Sequence, residues 1–171
     1  MIHRTIYLIS AAILTAATLL FAELAPANAQ VVALGASNTA GKGVGEAAAY
    51  PAQLEAILRS RGSPMTVTNA GISGDTTGGM LARLSSSVPQ GTKFVILQLG
   101  GNDSRKGVSE NERRANIAAI QSQLRARGIR TVSADGLVRS ALKSGMAQPD
   151  GIHLTVAGHQ QVAVGLAKMI R

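Results

Sequence analysis

The stretch Lys93-Phe94-Val95-Ile96-Leu97-Gln98-Leu99 decides how the rest of the chain is read. Phe94 to Leu97 leave no polar position for a face turned to water, so the segment reads as a strand covered on both sides. Such a strand needs helices above and below it. Shorter apolar runs at Gln30–Leu34, Met65–Asn69 and Arg130–Ala134 supply three more strands. Helical patterns fill the intervals. Leu54, Ile57 and Leu58 recur at helical spacing after Pro51, and Gly62 follows as a stop. Ser109 and Glu112 make a capping box ahead of Ile117, Ile120 and Leu124, and Gly128 ends that helix. Thr155 suits the cap of a last helix whose stripe is Val162, Ala163, Leu166, Met169 and Ile170. Fainter patterns cover Thr76–Ser86 and Leu137–Met146. Strands alternating with helices predict an α/β fold, three layers deep, with a small parallel sheet and right-handed crossovers.

At 171 residues the chain has the size of one domain, and an apolar fraction of 46% excludes disorder. The absence of cysteine excludes disulfide scaffolds and thiolate-held metals. Residues 1–29 read as an export signal: His3 and Arg4 precede an apolar run from Ile6 to Ala22, and Ala27-Asn28-Ala29 offers the small-x-small cleavage pattern. An uncleaved anchor is the alternative. The expected location is periplasmic or secreted, with residues 30–171 as the mature domain. The net charge of +8 raises the question of nucleic acid, but beyond the leader only Tyr50 and Phe94 could stack on bases. No nucleic-acid partner is expected. The surplus arginines read as a solvated helix face, with contact to anionic membrane or cell-wall surfaces as the second use of that charge.

In a sheet of this kind the functional crevice lies at the carboxyl ends of the strands. Gly35-Ala36-Ser37-Asn38-Thr39 follows the first strand, Ala70-Gly71-Ile72-Ser73-Gly74-Asp75 the second and Gly100-Gly101-Asn102-Asp103 the third, while Asp150-Gly151-Ile152-His153 precedes the last helix. A serine hydroxyl becomes a nucleophile when a base takes its proton, and histidine suits that task near neutral pH. His159 falls on the apolar stripe of the last helix, so a packing role is expected for it. His153 lies in the turn before that helix, three residues after Asp150, where one carboxylate can orient its ring. His153 is therefore the expected base. The backbone N–H groups of Ser37 and Gly74 and the amide of Asn102 are the expected donors to an oxyanion.

These four segments, in their order and spacing, resemble the blocks of the SGNH/GDSL hydrolases. Asn69-Ala70-Gly71-Ile72-Ser73-Gly74-Asp75-Thr76 is especially similar to the bacterial thioesterase I/lysophospholipase L1/arylesterase branch. The resemblance implies a flavodoxin-like architecture and a serine esterase acting on carboxylic esters or thioesters of small molecules or lipids. It assigns Ser37 as nucleophile, Asp150 and His153 as its triad partners, and Ser37, Gly74 and Asn102 to the oxyanion hole. It requires no cofactor and no metal. Two departures stand out. The family's Gly-Asp-Ser-Leu is here Gly35-Ala36-Ser37-Asn38, and only 47 residues lie between Asn102 and Asp150, where the family usually fits another strand-helix unit. Four strands are expected, with at most a vestigial fifth.

Rival readings fit less well. Ala36–Gly43 resembles a phosphate-binding loop, but Ala36 replaces its first glycine and Gly43 the hydroxyl that holds magnesium. An α/β-hydrolase elbow needs glycine where Thr39 stands. A metal site from Asp150, His153 and His159 would need two imidazoles six residues apart to converge. The non-enzymatic alternative is a catalytically weak exported module that binds acylated cell-surface polymers. The altered segment around Ser37 is its support.

Overall fold

A computed structural model describes residues 31–170, so the export signal expected over 1–29 lies outside the described residues. The chain runs β1 (Val31–Gly35), α1 (Ser37–Ala40), a 3-10 turn at Glu46–Ala48, α2 (Tyr50–Ser60), β2 (Val67–Gly71), α3 (Thr77–Ala82), α4 (Leu84–Ser87), β3 (Phe94–Gln98), α5 (Asn102–Arg105), α6 (Glu110–Ala126), β4 (Arg130–Ser133), α7 (Asp135–Lys143) and α8 (Val156–Leu166). The strands form one parallel sheet in the order β2-β1-β3-β4. Ala33 sits opposite Asn69 on one side and Ile96 on the other.

The alternation of side chains along the two central strands builds two cores. Val31, Ala33, Phe94 and Ile96 pack under α2, α7 and α8 with Leu54, Val138, Leu154 and Leu166. Val32, Leu34, Val95 and Leu97 pack under α3, α4 and α6 with Met80, Leu84, Ile120 and Leu124. β1 and β3 are therefore buried on both faces, as the unbroken run at Phe94–Leu97 predicts. The result is the three-layer α/β/α fold.

Side-chain caps start α6 and α8 where the sequence places them. Ser109 Oγ accepts the N–H of Glu112 at 3.1 Å, and Thr155 Oγ1 that of Gly158 at 3.2 Å. Two helical details differ from the sequence reading. The helix expected over Thr76–Ser86 breaks at Arg83, whose side chain turns back to the sheet and bonds Asp75 and the Gly35 carbonyl. Met169 leaves the apolar stripe: after Leu166 the chain tightens into a turn that donates from Met169 N to Leu166 O, and Met169 is 47% exposed. The sheet has the four strands expected, and among the described residues a single bridge pairing Ala147 with Leu154 closes the loop carrying Asp150 and His153.

β2 begins and ends two residues later than expected and carries its pairing with β1 through Gly71. A Cβ on Gly71 would lie 2.3 Å from Ala40 N and 2.7 Å from Thr39 C. The missing side chain lets α1 lie directly against the strand end. Gly71→Ala should therefore push on backbone and cost about 1–3 kcal/mol of stability, read as a lower urea midpoint. An unchanged midpoint would mean that α1 moves aside freely.

Candidate active site

Ser37 opens α1, two residues beyond the end of β1, and its side chain is half buried. Neighbouring segments hold this turn. The buried Gln98, the last residue of β3, accepts the Ala36 N–H at 3.1 Å and the Thr39 hydroxyl at 3.2 Å through the same oxygen. Thr39 Oγ1 in turn accepts from Tyr50 Oη at 2.8 Å. Burial pushes the Tyr50 phenol far above its ordinary range, so it stays protonated as a donor. Arg83 bridges the Asp75 carboxylate and the Gly35 carbonyl at 2.8 and 3.2 Å. Ala36, standing where the family pattern has Asp, is buried among apolar neighbours.

The Ala147–Leu154 loop folds over this turn. Gln148 N donates to the His153 carbonyl at 2.7 Å, and Gly151 N to the Gln148 carbonyl at 2.9 Å. Asp150 Oδ1 accepts the N–H groups of Ile152 and His153, both at 3.0 Å, and Oδ2 lies 2.5 Å from His153 Nδ1. The imidazole is buried, and its Nε2 lies 2.9 Å from Ser37 Oγ. A ring that donates from Nδ1 to Asp150 keeps Nε2 as acceptor for the serine hydroxyl. The bond from His153, followed by those two backbone N–H groups, holds the Asp150 carboxyl well below the ordinary carboxylate range. The carboxylate itself is open to solvent.

Asn102, at the start of α5, donates one amide hydrogen to the Asp75 carbonyl at 2.8 Å, and its Oδ1 accepts from Arg105 at 3.0 Å. The second hydrogen on Nδ2 remains. Gly74 precedes Asp75 in a loop whose φ of +80° there suits glycine. Neither the Ser37 N–H nor the Gly74 N–H enters a hydrogen bond among the described residues. Beneath this loop, buried Asp103 accepts the Thr77 N–H and hydroxyl, tying α5 to the start of α3.

A cavity of about 510 Å³ opens beside the serine. Ser37, Asn102 and His153 line it, with Val138, Leu142 and Ile152 as apolar wall, and Gly74 stands outside the lining. Arg105, Arg113 and Arg139 also face it, against the single carboxylate of Asp135. That carboxylate already accepts the Leu99 and Gly100 N–H groups, each at 3.1 Å.

Ser37, His153 and Asp150 thus form one hydrogen-bonded line, although 113 to 116 positions separate the serine from the other two. Residues 33–146 match the model of the GDSL-like lipase/acylhydrolase family. The chain belongs to this family. Esterase TesA of Pseudomonas aeruginosa is 32% identical over 103 residues, covering 60% of this chain and 51% of TesA. The arylesterase of Vibrio mimicus is 32% identical over 140 residues, covering 80% of this chain and 69% of that protein. The match with the first of these relatives spans about half its length. A crystal structure of TesA has the same fold, with a TM-score of 0.74 at 23% identity over 82% of this chain and 97% of that one.

Sequence reasoning passed over Gln98 and Arg83 as supports of this candidate site. Gln98 carries a visible signal, as a polar residue closing the run whose burial decides the fold. His159 takes the packing place that its position on the stripe suggests. It is fully buried, stacks on the Tyr50 ring at 6.3 Å, and its Nδ1 accepts the Tyr50 N–H at 3.2 Å. It does not join His153 and Asp150, and no three potential metal ligands gather among the described residues.

The Tyr50 N–H belongs to the first turn of α2, where the helix has no acceptor of its own for it. His159 Nε2 finds no partner among the described residues, and burial lowers the ring's pKa from 6.5 to about 4. Folding therefore favours the neutral ring. Its stabilisation is complete above pH 6.5 and is lost as the pH falls toward 4. The urea midpoint should drop over that interval, and His159→Leu should flatten the drop. An equally steep fall in the variant would assign it to other groups.

Proposed function

We propose that this chain is a serine hydrolase of carboxylic esters or thioesters, exported to the periplasm or beyond by residues 1–29. The observation that carries this reading is the line from Ser37 Oγ to His153 Nε2 at 2.9 Å and from His153 Nδ1 to Asp150 at 2.5 Å, beside an open cavity. Three esterase features meet there: a nucleophile, a base whose ring is oriented, and unused N–H donors. The names of its relatives, an esterase and an arylesterase, point the same way.

In the proposed mechanism Ser37 Oγ attacks the substrate carbonyl as its proton passes to His153 Nε2. Asp150 keeps the other ring nitrogen protonated and stabilises the imidazolium. The oxyanion accepts from the Ser37 N–H, the Gly74 N–H and the remaining hydrogen of Asn102 Nδ2. Collapse breaks the ester bond, His153 returns its proton to the departing alcohol or thiol, and the acyl group stays on Ser37. Water then attacks this acyl-enzyme with His153 as base, and the acid leaves with free Ser37 restored. Water balances the second half, and every other proton passes between substrate, Ser37 and His153.

Fluorophosphonate labelling tests the nucleophile. The wild-type chain should label and Ser37→Ala should not, whereas a folded wild-type chain that stays unlabelled would favour the binding module. Asp150→Asn should lower kcat by about 10²-fold or more with the thermal midpoint unchanged; undiminished turnover would remove Asp150 from the mechanism.

The cavity also bears on substrate. Arg139 makes no ion pair among the described residues, and the only carboxylate in the lining is engaged by two N–H groups. The resulting positive field favours esters that carry a negative charge away from the scissile bond. The p-nitrophenyl monoester of glutaric acid should show kcat/KM about tenfold above that of p-nitrophenyl pentanoate at low salt, the gap narrowing as salt screens it. Equal values at low salt would mean that these arginines play no part in selection.

A further inference from the structure

Asn38 follows the proposed nucleophile directly, is only 8% exposed, and stands where the family pattern has leucine. Its carboxamide reaches the loop that carries His153. Nδ2 donates to the Ile152 carbonyl at 3.1 Å, and Oδ1 accepts the Leu154 N–H at 2.9 Å. These two backbone groups flank His153 on either side. A carboxamide places one donor and one acceptor in a single plane, so it engages an extended backbone as a neighbouring strand would. With both flanking peptides held, the direction of the His153 Cα–Cβ bond is set.

The remaining contacts of the loop do a different job. Asp150 with the N–H groups of Ile152 and His153, Gln148 with the His153 carbonyl, and the Ala147–Leu154 bridge shape the loop within itself. Gln148 Nε2 donates to the Leu154 carbonyl at 2.7 Å and to the Lys42 carbonyl at 2.8 Å. None of these joins the peptides flanking His153 directly to the turn from Ala36 to Ala40. Asn38 does, because its backbone is continuous with Ser37: the serine, its neighbour's carboxamide, the backbone around residue 153 and the imidazole close a ring through the 2.9 Å contact from Nε2 to Oγ. A leucine there could make neither backbone bond.

We propose that Asn38 is the positioning residue that sets the Ser37–His153 contact in this chain, a role that rests on the serine-hydrolase reading above. The test compares Asn38→Leu, Asn38→Asp and Gln148→Ala with wild-type and Ser37→Ala, all at a temperature where far-UV circular dichroism finds them folded. Asn38→Leu should lower kcat on a p-nitrophenyl ester about 10- to 100-fold with KM within about threefold, as expected for a displaced reacting pair. The rate of fluorophosphonate labelling should fall in parallel. Gln148→Ala, which loosens the same loop but leaves the Ile152 carbonyl and the Leu154 N–H on Asn38, should lower the thermal midpoint and leave kcat within about twofold. Should Asn38→Leu fail to fold, Asn38→Asp keeps the shape and the acceptor while losing the donor to Ile152, and its kcat is read in the same way. A folded Asn38 variant with wild-type kcat, or equal losses in Gln148→Ala and the Asn38 variants, would overturn the proposal. Activity retained in Ser37→Ala would instead overturn the hydrolase reading beneath it.

Discussion

The turn from Ala36 to Ala40 leaves β1 with little of its own to hold it, and the site depends on where that turn sits. It is one short helix long, and its anchors come from elsewhere in the molecule. Gln98 takes the Ala36 N–H and the Thr39 hydroxyl, Arg83 takes the Gly35 carbonyl, and Gly71 leaves room for α1 to lie against β2. Each anchor is a buried or half-buried polar contact or a close backbone approach. A small displacement would therefore leave a polar group unsatisfied or press backbone on backbone. Such a turn holds Ser37 in place, which in the proposed mechanism is how a nucleophile gains from proximity.

Topology explains why this turn meets the other segments. From β1 the chain passes to β2 through α2 on one face of the sheet. It then returns past β1 to β3 through α3 and α4 on the opposite face. The connections diverge between β1 and β3, leaving a crevice at their carboxyl ends. The segments after β1 and β3 open into it, and the loop ahead of α8 closes over it. The truncated sheet does not disturb this, because the pair that forms the switch point is also the pair with two buried faces.

His153 and His159 show how burial and partners set two imidazoles apart. His153 has a carboxylate on one ring nitrogen and a serine hydroxyl on the other, beside a cavity. His159, six residues later, is enclosed by the core and keeps a neutral ring that serves the start of α2. Replacement of the family's aspartate by Ala36 follows the same logic. The apolar side chain joins the core, and Gln98 supplies the bond to the backbone beside it.

Much of this was readable from residues alone, for reasons of period and order. An unbroken apolar run forces a strand with two covered faces, helical spacing marks α2, α6 and α8, and a histidine on an apolar stripe belongs to the core. These are local properties, and local sterics and burial decide them. What lay beyond the sequence were the features that no motif marks: the kink at Arg83, the reach of Gln98 to Ala36, the outward turn of Met169, and the two bonds by which Asn38 brackets His153. Asn38 was visible only as a departure from a pattern. Its meaning depends on which backbone groups a carboxamide meets across 114 positions, and only the folded chain sets that distance.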